Sequence, residues 1–131
     1  MLRVPSPLPE DLESLVTEII GLCIVVHREL GPGLNEGVYA RACRVELEAR
    51  GISYESEYPV PISYRGRVLC HQRIDLFIDR RLVLELKSVE AIHRVHVSQT
   101  VTYLRLTGAK AGLIVNFNVE LVKNGIRRVV L

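Results

Sequence analysis

The most constraining feature of this sequence is a short alternating stretch, Leu82 to Lys87, in which leucine occupies every second position. Successive side chains of a strand point to opposite faces of a sheet, so the pattern predicts a strand with one buried face. The leucines would line that face, while Val83, Glu85 and Lys87 line the other. A carboxylate and an ammonium group are therefore expected on the same face of one strand.

A second strand is predicted just before it, at residues 74–78, and Asp79-Arg80-Arg81 supplies polar residues for the reversal between the two. If those residues form the loop, Asp75 faces Glu85 across the hairpin. Directly opposed side chains lie about 4.5–5.5 Å apart at Cβ, so two carboxylates there repel each other unless a cation lies between them. The register predicts a site for a divalent metal. A loop one residue shorter would instead place a leucine opposite Asp75.

Size and composition predict an ordinary globular fold. The chain of 131 residues is 48% hydrophobic and 24% charged, with 5% aromatic residues and no tryptophan, so the predicted core is aliphatic. A net charge of +2 is too small to indicate a polyanionic partner by itself. We expect one domain over residues 1–131, in which residues 1–9 form an extended, proline-containing lead-in.

Two further features concern the environment of the chain. Its cysteines, Cys23, Cys43 and Cys70, are odd in number and have no C-x-x-C spacing, which predicts buried reduced thiols and neither a disulfide framework nor a zinc site. The sequence also has no apolar run suited to a signal peptide or a membrane span. These features predict a cytoplasmic protein with no membrane partner.

Periodicity along the chain predicts the other elements. Helices are expected at about residues 10–29, 36–50 and 94–106, with strands at about 52–62, 68–78, 82–87, 111–115 and 126–131. The strand at 111–115 is apolar throughout, which favours burial on both faces and parallel pairing with the strand at 82–87. The fold class is therefore α/β, with an antiparallel meander in a mixed sheet flanked by helices.

The second helix has two neighbouring stripes of side chains. Asn35 is its predicted N-cap. One stripe is apolar but thin, and its neighbour has mixed chemistry. The apolar stripe comprises Val38, Ala42, Val45 and Ala49, and the mixed stripe comprises Glu36, Tyr39, Cys43 and Glu46.

Asp75, Glu85 and Lys87 are the candidate chemical residues. Carboxylates can hold a hard cation such as Mg²⁺, and an adjacent lysine can orient a water or stabilise developing charge, which are the parts that phosphodiester hydrolysis needs. The alternative is that Glu85 and Lys87 line the solvated face of a strand. On the third helix, the spacing of Gln99 and Tyr103 predicts that their side chains share one direction.

Other charged side chains have weaker patterns. His96 shares the direction of Gln99 and could donate to the site, although a structural role is the alternative. Arginines near the predicted hairpins could form a basic rim for phosphates or could be ordinary solvated residues; they are Arg65, Arg67, Arg73, Arg80 and Arg81. Glu46 lies nearly three turns beyond Glu36 and is not expected to be a ligand.

Asp75 followed by Glu85-Leu86-Lys87 resembles the signature of the PD-(D/E)xK nucleases, with Ile74 in place of the proline frequent at that position. The segment from Gly33 to Tyr39 is similar to the pattern that names the GxxExxY proteins, a branch of that superfamily. The similarity covers nearly the whole chain. It extends to residues 27–33, 99–104 and 112–117.

The resemblance implies a restriction-endonuclease-like core and a role for each matched residue. Asp75 and Glu85, with the Leu86 carbonyl, would hold Mg²⁺ or alternatively Mn²⁺, and Lys87 would position the attacking water. Glu36 would approach the metal or its water, or else serve only as a first-turn carboxylate of its helix. Gln99 and Tyr103 match the Gln-x-x-x-Tyr element of RecB-like nucleases, where these residues contact nucleic acid or brace the active lysine.

The resulting prediction is a metal-dependent nuclease that hydrolyses phosphodiester bonds, with DNA favoured over RNA as its partner. Two alternatives stay open. One is a catalytically silent nuclease-fold domain that binds nucleic acid or a protein partner. The other is an interaction domain in which Glu85 and Lys87 form an ordinary surface pair. The short chain leaves little room for target recognition, so a homodimer is also considered.

Overall fold

The structure is a computed structural model that describes residues 7–131; the predicted lead-in falls largely outside this range. Its helices and strands follow the predicted order. The helices are α1 (Glu10–Leu30), α2 (Glu36–Ala49) and α3 (Arg94–Thr107), and the strands are β1 (Tyr54–Tyr64), β2 (Arg67–Ile78), β3 (Leu82–Lys87), β4 (Ala111–Asn116) and β5 (Ile126–Val130). A short 3₁₀ helix, Val122–Gly125, precedes β5.

The five strands form one mixed sheet in the order β1-β2-β3-β4-β5. Strands β3 and β4 are parallel and are joined through α3, whereas every other neighbouring pair is antiparallel. Helices α1 and α2 pack on one face of the sheet and α3 packs on the other. This arrangement confirms the predicted α/β class, the antiparallel meander and the parallel pairing, and it is consistent with a restriction-endonuclease-like fold. Within residues 7–131, no helix is long and apolar enough to cross a membrane.

Strand β3 is buried on both faces, so the prediction of one solvated face was wrong. Leu84 packs into the core beneath α1 and α2, and Val83 packs into the second core beneath α3. Glu85 is only 4% exposed. The error arose because the covering helix α3 follows β3 in the chain, and its position over the second face is a tertiary feature that strand alternation does not encode.

The register between β2 and β3 is the predicted one. Leu76 pairs with Leu84 and Ile78 pairs with Leu82, which leaves three residues in the loop. Asp79 and Arg80 adopt positive φ angles of 51° and 52°, which allows the chain to reverse within that short loop. The regular pairing stops at Leu76 and Leu84, so Asp75 lies just beyond the end of the ladder.

The burial of α2 and of the cysteines differs from the simplest interpretation of the sequence. In α2 the buried residues are Tyr39, Cys43 and Leu47, whereas Val38 and Val45 of the apolar stripe are 37% and 65% exposed. The helix faces the sheet with its Tyr39 stripe because Tyr39 stacks on the buried Phe117 ring. Cys23 and Cys43 are buried as expected, but Cys70 is exposed because the part of β2 that contains it lies outside both cores.

Strand β1 is an edge strand, as its prolines predicted, but its side chains do not alternate in one phase. Tyr54 packs against the core beneath α1 and α2, whereas Tyr58 packs against the core beneath α3. The change of phase occurs at Glu57, whose φ is 50° and whose pairing with β2 is interrupted. The position on β2 that faces this interruption is Asp75, so the backbone is irregular where the candidate site begins.

Candidate functional site

Asp75 and Glu85 approach each other where β2 and β3 separate. One carboxylate oxygen of Asp75, Oδ2, accepts a hydrogen bond of 2.8 Å from the backbone N–H of Leu86. The side chain thereby supplies an acceptor at a point where the regular ladder between the strands has ended. The two carboxyl groups lie close enough for a side-chain hydrogen bond, and a side chain to backbone contact ties the strands together there.

The environment of Glu85 strongly disfavours its ionised form. The pKa of its carboxyl is raised to about 9, first by burial, then by the charge of Asp75 and a hydrogen bond with the Asp75 side chain, while Lys87 acts in the opposite direction. Within residues 7–131, Glu85 Oε1 is the buried side-chain polar atom that lacks a hydrogen-bond partner. Such an atom needs a proton or a cation beside it, since an unpaired buried carboxylate is costly. The donor set therefore fits a hard cation.

Tyr103 and Gln99 of α3 stand next to this pair. Tyr103 is 2% exposed, and its pKa is raised to about 12 by burial first and then by the charges of Glu85 and Asp75. A side-chain hydrogen bond with Gln99 acts in the opposite direction. The two residues therefore share one direction and contact each other. A merely solvated helix face does not describe Tyr103, which is buried against the carboxylates.

Lys87, Glu36 and His96 form the outer part of the site. The pKa of His96 is lowered, first by burial and then by the positive charges of Lys87 and His93, while the carboxylate of Glu36 acts in the opposite direction. Both Lys87 and Glu36 thus lie close enough to act on the same imidazole. The His96 ring is oriented by its Nδ1, which accepts a 3.0 Å hydrogen bond from the backbone N–H of His93.

Glu36 reaches the end of β3 from the first turn of α2. Its Oε1 accepts a 3.4 Å hydrogen bond from the backbone N–H of Ser88, the residue that follows Lys87. The Ser88 hydroxyl donates in turn to the Leu34 carbonyl at 2.6 Å, which joins the strand end to the start of the helix. A cleft of about 460 Å³ contains both Glu36 and Asp75 in its lining, together with Arg41 and Arg44. The structure therefore brings Glu36 to the same cleft as Asp75.

The family model of the PD-(D/E)XK nuclease superfamily matches residues 13–129. The chain belongs to that superfamily. Comparison with curated proteins gave no match, and comparison with solved structures gave none either. Placement in the narrower GxxExxY branch stays a prediction.

Within this superfamily fold, Tyr39 has a positioning role that the sequence patterns did not reveal. Its ring stacks on Phe117 with centroids 4.3 Å apart and planes 7° from parallel. Its hydroxyl donates to the Gly31 carbonyl at 2.6 Å and accepts from the Leu34 N–H at 3.2 Å. Tyr39 therefore fixes the loop that leads into Glu36. The available signal was its place at the end of the Gly33 to Tyr39 pattern, because the mixed chemistry of its helix stripe did not indicate burial.

Asn116 is a second residue that sequence reasoning missed. It is 2% exposed and lies at the end of β4, where it pairs with Lys87. Its Oδ1 accepts from the backbone N–H of Val89 at 3.1 Å, and its Nδ2 donates to the Val89 carbonyl at 2.9 Å. Asn116 thereby fixes the chain just after the candidate lysine. A polar residue that ends an apolar strand was the signal that could have identified it.

Other titratable residues are used structurally. His27 is buried, and its Nε2 lies 2.7 Å from the Val119 carbonyl. Glu46 pairs with Arg50 at 3.7 Å. Among residues 7–131 there is no group of three or more His, Cys, Asp or Glu side chains that could hold a metal. A metal at the Asp75 and Glu85 pair would therefore need backbone or water oxygens to complete its coordination.

Proposed function

We propose that this chain is a metal-dependent nuclease that hydrolyses phosphodiester bonds of nucleic acid. The observation that carries the proposal is the pair of neighbouring carboxylates, Asp75 and Glu85, in which Glu85 is buried with one oxygen lacking a hydrogen-bond partner. Membership of the PD-(D/E)XK nuclease superfamily supports a nuclease function in general and the use of a divalent metal. In this proposal residues 1–131 act as one nuclease-like domain, on DNA in preference to RNA.

Asp75, Glu85 and the Leu86 carbonyl would hold the metal, which we take to be Mg²⁺, with Mn²⁺ as an alternative. Carboxylate and carbonyl oxygens are the ligands that such hard cations prefer. When bound, the ion supplies Lewis-acid stabilisation of negative charge and acidifies a water molecule. Its charge would also oppose the burial and the neighbouring Asp75 charge that raise the pKa of Glu85.

Lys87 and Glu36 would act on the attacking water and the phosphate. Lys87 shares the β3 strand with Glu85, and its positive charge lowers the pKa of that carboxyl as well as that of His96. This placement suits an ammonium group that orients a water or balances charge developing on a phosphate oxygen. The carboxylate of Glu36 lines the same cleft as Asp75, where it could accept a proton from that water.

Gln99 and Tyr103 would locate the substrate strand and brace the site. The two side chains are hydrogen-bonded to each other, and Gln99 is partly exposed. Its amide can therefore donate to a phosphate oxygen or a base edge. Tyr103 is too deeply buried to offer much surface to a polymer. We therefore assign strand contact to Gln99 and bracing of the carboxylate pair to Tyr103.

A cleavage panel tests the proposal. Single- and double-stranded DNA and RNA would be incubated with Mg²⁺ or Mn²⁺ and the wild type, Asp75→Asn, Glu85→Gln or Lys87→Ala. Asp75→Asn keeps an oxygen that can accept from the Leu86 N–H, so it removes charge with little change of fold. We expect each variant to lose about 10²-fold or more in cleavage rate, the scale found when one preorganised electrostatic group is removed.

The matched control is Lys110→Ala, which removes an exposed lysine that precedes β4. It should cleave as the wild type does. Cleavage that survives Glu85→Gln and Lys87→Ala together would contradict the proposal. Wild type that binds nucleic acid but cleaves nothing with either metal would instead support the catalytically silent binding domain.

A further inference from the structure

The outer part of the β1–β2 hairpin, residues 61–73, projects from the body of the protein and is here called the arm. Every residue of the arm is exposed except Ile62, which is half-buried. Three apolar or aromatic side chains are notably open to solvent: Tyr64 is 63% exposed, Val68 57% and Leu69 64%. Strand β3 pairs with β2 only at Leu76–Ile78, so no neighbouring strand among residues 7–131 covers the arm on that side.

The arm has an unbalanced positive charge. It contains Arg65, Arg67 and Arg73 and no aspartate or glutamate. None of these arginines takes part in the ion pairs found among residues 7–131. Arg65 instead lies over the ring of Tyr64, with its guanidinium carbon 5.8 Å from the ring centroid. The guanidinium groups therefore remain available to an external anion.

The shape of the arm suits a groove. A tight turn at Arg65 and Gly66, with φ angles of 51° and 77°, closes a narrow two-stranded ribbon. A ribbon of that kind enters the major groove of B-form DNA, which is about 12 Å wide. At about 3.3 Å per residue, the tip of the arm at Arg67 lies about 26 Å along β2 from Asp75, a span of roughly eight base pairs.

We infer that the arm holds double-stranded DNA by entering its major groove, with its arginines on the phosphates beside the groove. The inference rests on the proposed function and specifies its substrate class as a duplex. A-form RNA is excluded as the preferred ligand because its major groove is deep and too narrow for side chains to read. A second copy of this chain is disfavoured because two arms of like charge would repel each other.

Direct binding measurements test this inference without requiring hydrolysis. Fluorescence anisotropy in EDTA would follow a labelled DNA duplex, its single strand and an RNA duplex at salt concentrations between about 50 and 200 mM. The wild type would be compared with Arg65→Gln/Arg67→Gln. The matched control is Lys123→Gln/Arg127→Gln, which removes two exposed charges near the opposite edge of the sheet.

We expect the wild type to prefer the DNA duplex. Loss of two phosphate contacts should reduce the slope of log K against log salt by about 1.8 and weaken binding roughly 60-fold at about 0.1 M salt. The control should keep the wild-type slope. Because the arm is exposed, the arginine substitutions should leave the unfolding free energy unchanged, which separates a binding defect from a folding defect.

Several outcomes would overturn the inference: no binding by the wild type, an equal slope in the arm variant, or a preference for single strands or RNA. An arm variant that changes a dimer to a monomer in sedimentation while keeping its DNA affinity would also overturn it and make the arm a self-association element. Wild type that binds duplex DNA through the arm but does not cleave it with Mg²⁺ or Mn²⁺ supports the arm and refutes the nuclease proposal.

Discussion

Burial of Glu85 makes a sharp prediction about stability and pH in the absence of metal. Its carboxyl has a pKa of about 9 in the folded protein, against an ordinary value of 4.5. Between these values the folded chain keeps a proton that the unfolded chain releases. The stabilising contribution of that proton is therefore complete below the unfolded pKa and is lost as pH rises towards the folded pKa.

The size of the effect follows from the pKa difference. Between the two pKa values of Glu85, each pH unit lowers the free energy of unfolding by about 1.36 kcal/mol. Raising the pH from about 5 to about 8 should therefore remove about 4 kcal/mol from it. Glu85→Gln keeps the size and shape of the side chain but cannot titrate. The free energy of unfolding of Glu85→Gln, minus that of the wild type, should therefore rise by about 4 kcal/mol over the same interval.

Urea unfolding in EDTA at a series of pH values measures this difference. The comparison between variant and wild type cancels the contributions of titrating groups that do not interact with Glu85. Glu18→Gln, an exposed glutamate on α1, is the matched control and should follow the wild-type curve. Parallel curves for the wild type and Glu85→Gln between pH 5 and 8 would refute the reasoning, because they would mean that Glu85 is ionised in the folded protein at neutral pH.

Three further predictions concern the metal, the loop before α2 and the contact between α3 and β4. At pH 8, Mn²⁺ at about 100 times its dissociation constant should stabilise the wild type by about 2.7 kcal/mol and leave Glu85→Gln nearly unchanged in thermal unfolding; equal shifts would mean that the ion binds elsewhere. Tyr39→Phe leaves the Leu34 N–H without its acceptor, so chemical denaturation should show a loss of about 1–3 kcal/mol; an unchanged midpoint would contradict the role given to that hydroxyl. Gly112→Ala would place a Cβ 2.8 Å from Thr100 Cγ2. It should cost about 1–3 kcal/mol in the same assay, and a neutral result would show that α3 can move away freely.

The sequence was most informative about features that depend on loop length and on the pattern of neighbouring residues. The loop of Asp79-Arg80-Arg81 and the alternation of β3 were enough to predict that Asp75 lies near Glu85, because hairpin register depends on loop length and strand period. The apolar run at β4 was likewise enough to predict a buried strand parallel to β3. These features need no knowledge of how distant elements pack.

Features that depend on packing between distant elements were not predictable in this way. The burial of Glu85 follows from the position of α3 over the sheet, and the burial of Tyr39 follows from its stack on Phe117, nearly eighty positions later in the chain. The break at Glu57 had no signal either, because a positive φ at a glutamate contradicts its local preference. The electrostatics of the site therefore required the three-dimensional arrangement.

The short ladder between β2 and β3 has a consequence for how this molecule can vary. Only three residue pairs join the two strands, and all of them lie between the loop and Asp75. A deletion in the loop would rotate Asp75 away from Glu85 and abolish the site without altering either residue. An insertion or deletion within the arm, by contrast, changes only the arm and leaves the carboxylate spacing intact. The length of the loop between β2 and β3 is thus fixed by the need to position the two carboxylates, whereas the length of the arm can vary. The preference for a nucleic-acid target could therefore change without altering the carboxylate pair.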